Sequence, residues 1–261
     1  MREGNLVLNK IYKTAFITGG AQRIGESIAT HLAKSGYNIA IQYNKSKRKA
    51  QSLQHKFESQ NIKFLCYKFD FENDSKIHRL FDRICKDLGN IDILINNAST
   101  FEFDTIKTSN EKIFDKHINV NLKAPFFLSK CFAKKLDKKK GLIINIIDQR
   151  VNNITPYFTS YTISKSGLYS LTKSMSLSLA PNIRVNGISP GPTLMSKNQT
   201  DQQFKKQIYR TPLKKQVRLE EINQAVNYLI QSSSVTGEVL TLDSGQSLGW
   251  AHSKSKIFTT D

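Results

Sequence analysis

Short apolar runs rich in β-branched residues recur along the chain at 14–18, 38–43, 63–69, 91–96, 142–147, 183–188 and 238–242, and they read as strands. Between them, 24–33, 77–88, 112–136, 159–179 and 221–230 carry apolar residues at helical spacing, as Ile24, Ile28 and Leu32 do in the first. Pro125, inside the third of these helices, predicts a kink or break. Strand and helix taking turns in this way predicts an α/β fold: one Rossmann-like, doubly wound parallel sheet of about seven strands, with helices on both faces and right-handed crossovers. A ligand belongs at the carboxyl ends of such strands. The polar stretch 196–216 interrupts the rhythm before the last helix, as a substrate lid or an ordinary surface insertion would.

Length and composition narrow this picture. The chain has 261 residues, 39% of them hydrophobic, which suits one large core better than two independent domains. It shows no repeat and no Gly/Ser or Pro-rich linker, so 1–261 reads as a single domain. Residues 1–13 mix Arg2, Glu3 and Lys10 with only a short apolar stretch, unlike a secretory signal, and no later run is long enough to span a membrane. Three widely spaced cysteines, Cys66, Cys85 and Cys131, argue against a disulfide framework and a zinc site. A soluble, cytoplasmic protein without a metal is therefore expected. The formal charge of +18 admits acidic partners, but its lysines are dispersed and no nucleic-acid motif accompanies them, so a solvated surface is the plainer reading.

The first strand runs into Thr18-Gly19-Gly20-Ala21-Gln22-Arg23-Ile24-Gly25 and then directly into a helix. Glycine allows a tight turn and close backbone approach, and free N–H groups at a helix start suit a pyrophosphate. The segment resembles the T-G-x-x-x-G-x-G turn of the short-chain dehydrogenase/reductase family, with Arg23 where the middle glycine belongs, adding positive charge beside the phosphates. An NAD enzyme carries an acid about 20 residues further on to bind the ribose. Here 39–56 holds no acid, and the second strand ends in Asn44, Lys45 and Ser46, followed by Lys47 and Arg48. A cationic, hydroxyl-bearing turn favours the 2′-phosphate of NADPH. Asp70, ending the third strand, resembles the family's adenine-contacting acid, or caps the helix after it.

Tyr161-Thr162-Ile163-Ser164-Lys165 puts a phenol and an ammonium on one face of a helix. A neighbouring ammonium should lower the phenol's pKa from near 10 and make it a usable acid or base. This is the family's Y-x-x-x-K signature. The resemblance continues through Asn96-Asn97-Ala98, Asn121, Pro190-Gly191, 235–237 and 243–245, and so covers nearly the whole chain. It implies that Lys165 holds the nicotinamide ribose and that Asn121 organises the lysine and a water. Thirteen residues before the tyrosine, where most of the family has a serine, stands Asp148. A serine hydroxyl stabilises a developing alkoxide, whereas a carboxylate opposes it and instead suits proton delivery to a ring nitrogen. As a bland alternative, Asp148 is a cap or loop anchor.

Asp148, Arg23 and Asn97-Ala98-Ser99-Thr100-Phe101 together resemble the pteridine reductases and bacterial dihydromonapterin reductases. That resemblance implies a pterin pocket of Arg23, Ser99, Phe101, Asp148, Phe158 and Tyr161, with Phe101 stacked on the substrate. Phe158 departs from the tyrosine of some pteridine reductases. The expected activity is NADPH-dependent reduction of a pterin or dihydropterin to the tetrahydro form, by a homotetramer built partly through the fourth and fifth helices. Two rivals remain: a carbonyl reductase such as a 3-oxoacyl carrier-protein reductase, and a non-catalytic NADPH-binding regulator.

Overall fold

Why the strand runs are apolar along their whole length becomes clear from the sheet: both of its faces are covered. The computed structural model describes residues 13–73, 76–197 and 199–248, so the reading of 1–12 lies outside the described residues. Seven parallel strands, β1 (Thr14–Ile17), β2 (Asn38–Tyr43), β3 (Phe64–Lys68), β4 (Ile93–Asn96), β5 (Gly141–Ile146), β6 (Ile183–Pro190) and β7 (Val239–Leu242), lie in the order β3-β2-β1-β4-β5-β6-β7. Alternate residues of each strand serve opposite faces. Ala15, Ile17, Ile39, Ile41, Ile93 and Ile95 pack with Ile28 and Leu32 of α1 (Arg23–Lys34) and Ile222, Val226 and Leu229 of the last α-helix, Leu219–Gln231. Phe16, Ala40, Leu94, Ile143 and Val185 face Leu80, Phe81 and Ile84 of the helix Ile77–Leu88, and Leu128 and Phe132 of the helix Ala124–Leu136.

The sequence pattern missed two helices for the same reason. Helix α2 (Lys47–His55) buries only Ala50 and Leu53, and Asp201–Tyr209, inside the polar 196–216 stretch, buries only Phe204. Neither carries a broad apolar stripe for a 3.6-residue period to reveal. In chain order the remaining helices are α3 (Ile77–Leu88), α4 (Glu111–Ile118), α5 (Ala124–Leu136), α6 (Thr159–Ser178), α7 (Asp201–Tyr209) and α8 (Leu219–Gln231). The helix read over 112–136, with a kink or break expected at Pro125, is divided just before that residue into α4 and α5 by a π-helical turn, Asn119–Lys123. Pro125 falls in the first turn of α5, where its missing N–H costs little. Within the π turn Asn121 is fully buried. Among the described residues no helix is long and apolar enough to cross a membrane.

Candidate active site

Strand order reverses at β1, which has β2 on one side and β4 on the other, so the loops leaving β1 and β4 open a crevice between them. Thr18 closes its floor: its hydroxyl accepts from the Asn97 and Ala98 amides, each at 2.9 Å. The Asn97 amide group donates back to the Thr18 carbonyl at 2.9 Å and the Gly19 carbonyl at 3.2 Å. Gly19 has φ +61°, and a Cβ on Gly25 would lie 2.3 Å from the Gly19 carbonyl oxygen, so the turn requires both glycines. Without side chains on these glycines, a pyrophosphate could approach the free N–H groups at the start of α1. Gln42, buried in β2, secures the turn by accepting from the Gly19 amide at 2.9 Å while donating to the Phe69 carbonyl. Nothing in its sequence context marks it out.

Arg23 also takes a left-handed φ, +58°, which explains why a glycine is usual there and costs an arginine about 1–2 kcal/mol. Its guanidinium donates to the carbonyls of Met195 at 2.8 Å and Leu194 at 3.1 Å. Arg23 thus ties the glycine turn to the loop entering the 196–216 stretch, and these bonds do not run to the cluster around Asp148. Ile24 is partly buried against the core beside it.

At the far end of the crevice, Asn44, Lys45 and Ser46 follow β2, and the Ser46 side chain makes no capping bond to α2. Asp70 lies beside them. Burial pushes its carboxyl up, but hydrogen bonds from Asn73, the Glu72 amide and Asn44, with the charge of Lys45, outweigh that and hold it below the usual range. Asp70 binds the turn at 72–73 and does not cap α3, whose N-cap is Lys76. Pro190 ends β6, and Gly191 packs so closely on Asp243 that a Cβ would stand 2.7 Å from its Cα.

The opposite wall carries the proton chemistry. Tyr161 is buried in α6, and its hydroxyl donates to Asp148 Oδ2 at 2.8 Å. The other oxygen, Oδ1, accepts from the Arg150 amide, so Asp148 is at once the tyrosine's partner and the cap of a short 3-10 turn. Phe101 stands edge-on to Tyr161 at 4.7 Å and lies flat on Phe158, with ring centroids 4.3 Å apart. Arg150 covers Phe158 at 4.8 Å, and Ser99 is exposed at the mouth.

The expected direction of the tyrosine's pKa is corrected by this geometry. Tyr161 is held well above its ordinary pKa by burial and by the Asp148 carboxylate, with Arg150 and the Ser99 hydroxyl pulling more weakly the other way. It stands as a neutral phenol, because the carboxylate accepts its proton more closely than Lys165 approaches it. Lys165 Nζ lies 5.9 Å from the tyrosine ring centre and donates to the Ile146 carbonyl at 2.8 Å, and burial lowers the ammonium to about 8. The Asn121 side chain binds the Thr100 amide and carbonyl at 2.8 and 3.0 Å and the Ser164 hydroxyl at 3.0 Å.

A glycine-cradled crevice at the switch point, with a buried tyrosine and lysine one helical turn apart on its wall, is the arrangement of a dinucleotide-dependent oxidoreductase. Residues 19–247 match the family model described as Enoyl-(Acyl carrier protein) reductase, and the chain belongs to the short-chain dehydrogenase/reductase family. It is 31% identical, over 89% of its length and 96% of the relative's, to the 3-oxoacyl-(acyl-carrier-protein) reductase FabG of Buchnera aphidicola. The FabG of Staphylococcus aureus strain Mu50 is 28% identical, covering 90% and 98% of the two chains. Among solved structures, the FolM alternative dihydrofolate reductase 1 of Brucella suis, in complex with NADP, is 36% identical, with a TM-score of 0.89 over 93% of this chain and 98% of that one.

Proposed function

We propose that the protein reduces dihydropterins to tetrahydropterins with NADPH. The observation that carries this reading is the 2.8 Å hydrogen bond from the Tyr161 hydroxyl to Asp148. It puts a phenol proton, backed by a carboxylate, where carbonyl reduction needs a hydroxyl donor free to meet a growing alkoxide. A C=N bond has a different need: its nitrogen must be protonated as the carbon receives hydride.

NADPH, when bound, supplies that hydride. The glycine turn would accommodate its pyrophosphate, and Asn44, Lys45 and Ser46 would hold its 2′-phosphate. As the electron pair of the C=N bond moves to nitrogen, Tyr161 delivers its proton there, and Asp148 stabilises the hydroxyl and relays a replacement proton from solvent. Lys165 and the Ile146 carbonyl hold the ribose side of the site, while Asn121 keeps Thr100 and the following wall in place. Phe101 offers a flat aromatic surface, and Ser99 a hydroxyl for the polar edge of the heterocycle.

The 3-oxoacyl-(acyl-carrier-protein) reductase names of the curated relatives favour carbonyl reduction as the second reading. A substrate panel with NADPH separates the two. Turnover of 7,8-dihydrobiopterin or dihydrofolate, with little on an acetoacetyl thioester, is expected; robust thioester reduction without pterin turnover would overturn the proposal. A protein that only bound NADPH would turn over neither. Exposed Phe126 and Phe127, lining a groove with Leu122, Gly167 and Leu171, support assembly into a homotetramer through this helical face.

A further inference from the structure

The proposed chemistry does not use three buried groups that lie directly behind it. His117 of α4 and Asp104 of the loop after β4 are both fully buried, and Ser160, the residue before Tyr161, nearly so. Their hydrogen bonds run in one direction. His117 Nε2 accepts from the Glu102 amide at 3.1 Å, which leaves Nδ1 as the protonated nitrogen, donating to Ser160 Oγ at 2.8 Å. Ser160 Oγ donates in turn to Asp104 Oδ2, and the same carboxylate accepts from the Ser160 amide at 3.2 Å and from Ser109 Oγ at 2.8 Å. Burial keeps His117 neutral by lowering its pKa. Asp104 is pushed up by burial but held below the usual range by its Ser160 and Ser109 donors.

The consequence lies in the alternation of the 100–104 segment. Thr100 is tied inward by Asn121, Glu102 by His117, and Asp104 by Ser160. The intervening residues, Phe101 and Phe103, turn the other way and meet Phe158, at 4.3 Å face to face and 5.2 Å edge to face. Phe158 precedes α6 in a left-handed conformation and gives that helix no side-chain cap. Asp104 performs the capping from a distant segment, while its carbonyl accepts from the Phe158 amide at 2.7 Å. One buried carboxylate therefore joins both aromatic walls to the start of the helix that carries Tyr161.

We propose that His117 and Asp104 are positioning residues that act through Ser160, locking the 100–104 segment onto the start of α6 and so setting where Phe101 and Phe158 stand relative to Tyr161. The proposal rests on the dihydropterin reading for the substrate, but the lock itself does not depend on it.

Paired substitutions at His117 test it. Glutamine places an acceptor near the position of Nε2 and can keep Glu102; asparagine reaches only the Ser160 side. His117→Asn should raise KM for 7,8-dihydrobiopterin about tenfold, the loss of one buried hydrogen bond, with kcat and NADPH affinity little changed. His117→Gln should recover most of that KM. Amide hydrogen exchange, read without substrate, should quicken across 99–104 in the asparagine variant and stay slow in the glutamine variant. If the asparagine variant does not fold, Ser160→Ala cuts the same relay and should raise KM by about threefold or more. Unchanged KM and exchange in these variants, or equal losses of kcat, NADPH affinity and dihydropterin affinity in both His117 variants, would overturn the proposal. Should the unmodified protein turn over no dihydropterin, the substrate reading fails alone, and the exchange data still decide whether His117 and Asp104 hold the wall.

Discussion

The two walls of the crevice are held by different physics. Around Gly19, Gly20 and Gly25 the shape comes from glycines that leave no room for a Cβ beside neighbouring backbone and the Ile41 and Asn97 side chains, with Thr18, Gln42 and Asn97 as pins across 23 to 79 residues. Around Phe101, Phe158 and Tyr161 it comes from buried side chains, Asn121, His117, Asp104 and Ser160, that join segments far apart in the chain. A glycine cradle fits a phosphate that every dinucleotide shares. A side-chain lock can be re-cut one residue at a time, which suits the wall that chooses a substrate.

If that division holds, damage to one wall should leave the other working. The largest effect is expected from Asp148→Asn, which removes the carboxylate behind the phenol: kcat should fall about a hundredfold, the contribution of one acid-base group, while NADPH binding by fluorescence titration stays intact. A fully active asparagine variant would reduce Asp148 to the cap of its 3-10 turn. Next comes Gly25→Ala, whose methyl would meet the Gly19 carbonyl oxygen at 2.3 Å. Overpacking of this kind costs about 1–3 kcal/mol, so NADPH affinity should drop by about ten- to a hundredfold. Unaltered affinity would mean that the cradle is softer than its geometry states. Phe101→Ala should weaken dihydropterin binding about tenfold through the lost stacking. A parallel loss of NADPH affinity would break the separation of the two walls.

The smallest effect concerns Lys165, where stability and function oppose each other. Its folded pKa, about 8, lies below the ordinary lysine value of 10.5. The folded state therefore disfavours the charge. The resulting destabilisation is fully present below pH 8 and relieved as pH rises from 8 towards 10.5, where the unfolded chain binds more protons. At pH 7 Lys165→Met, although it removes a group of the active site, should stabilise the cofactor-free protein by about 1–2 kcal/mol, after allowing for the Ile146 carbonyl left without its donor. Denaturant melts at pH 7 and pH 10 should show that advantage shrinking, and a variant less stable at both would refute the assignment.

The unequal legibility of the two walls has the same origin. Apolar runs buried on both faces announced the seven strands, and the glycine turn, the acid-free residues after β2, and the Tyr161/Lys165 pair were visible because each is a local pattern with a local cause. The register of Asp148 with Tyr161, thirteen residues apart, was also readable, and their hydrogen bond forms as that spacing implied. Helices α2 and α7 escaped because they bury too little to leave a stripe, and the π turn escaped because Pro125 signals a break without saying what replaces the helix. Gln42, His117, Asp104 and Ser160 are ordinary polar residues in sequence; only their burial against partners tens of residues away makes them part of the site. The direction of the Tyr161 pKa was likewise settled in three dimensions. Sequence spacing placed an ammonium one turn away, but burial and a carboxylate at 2.8 Å outweigh a lysine that turns to the Ile146 carbonyl, because electrostatic influence follows distance and solvent exclusion and not position along the chain.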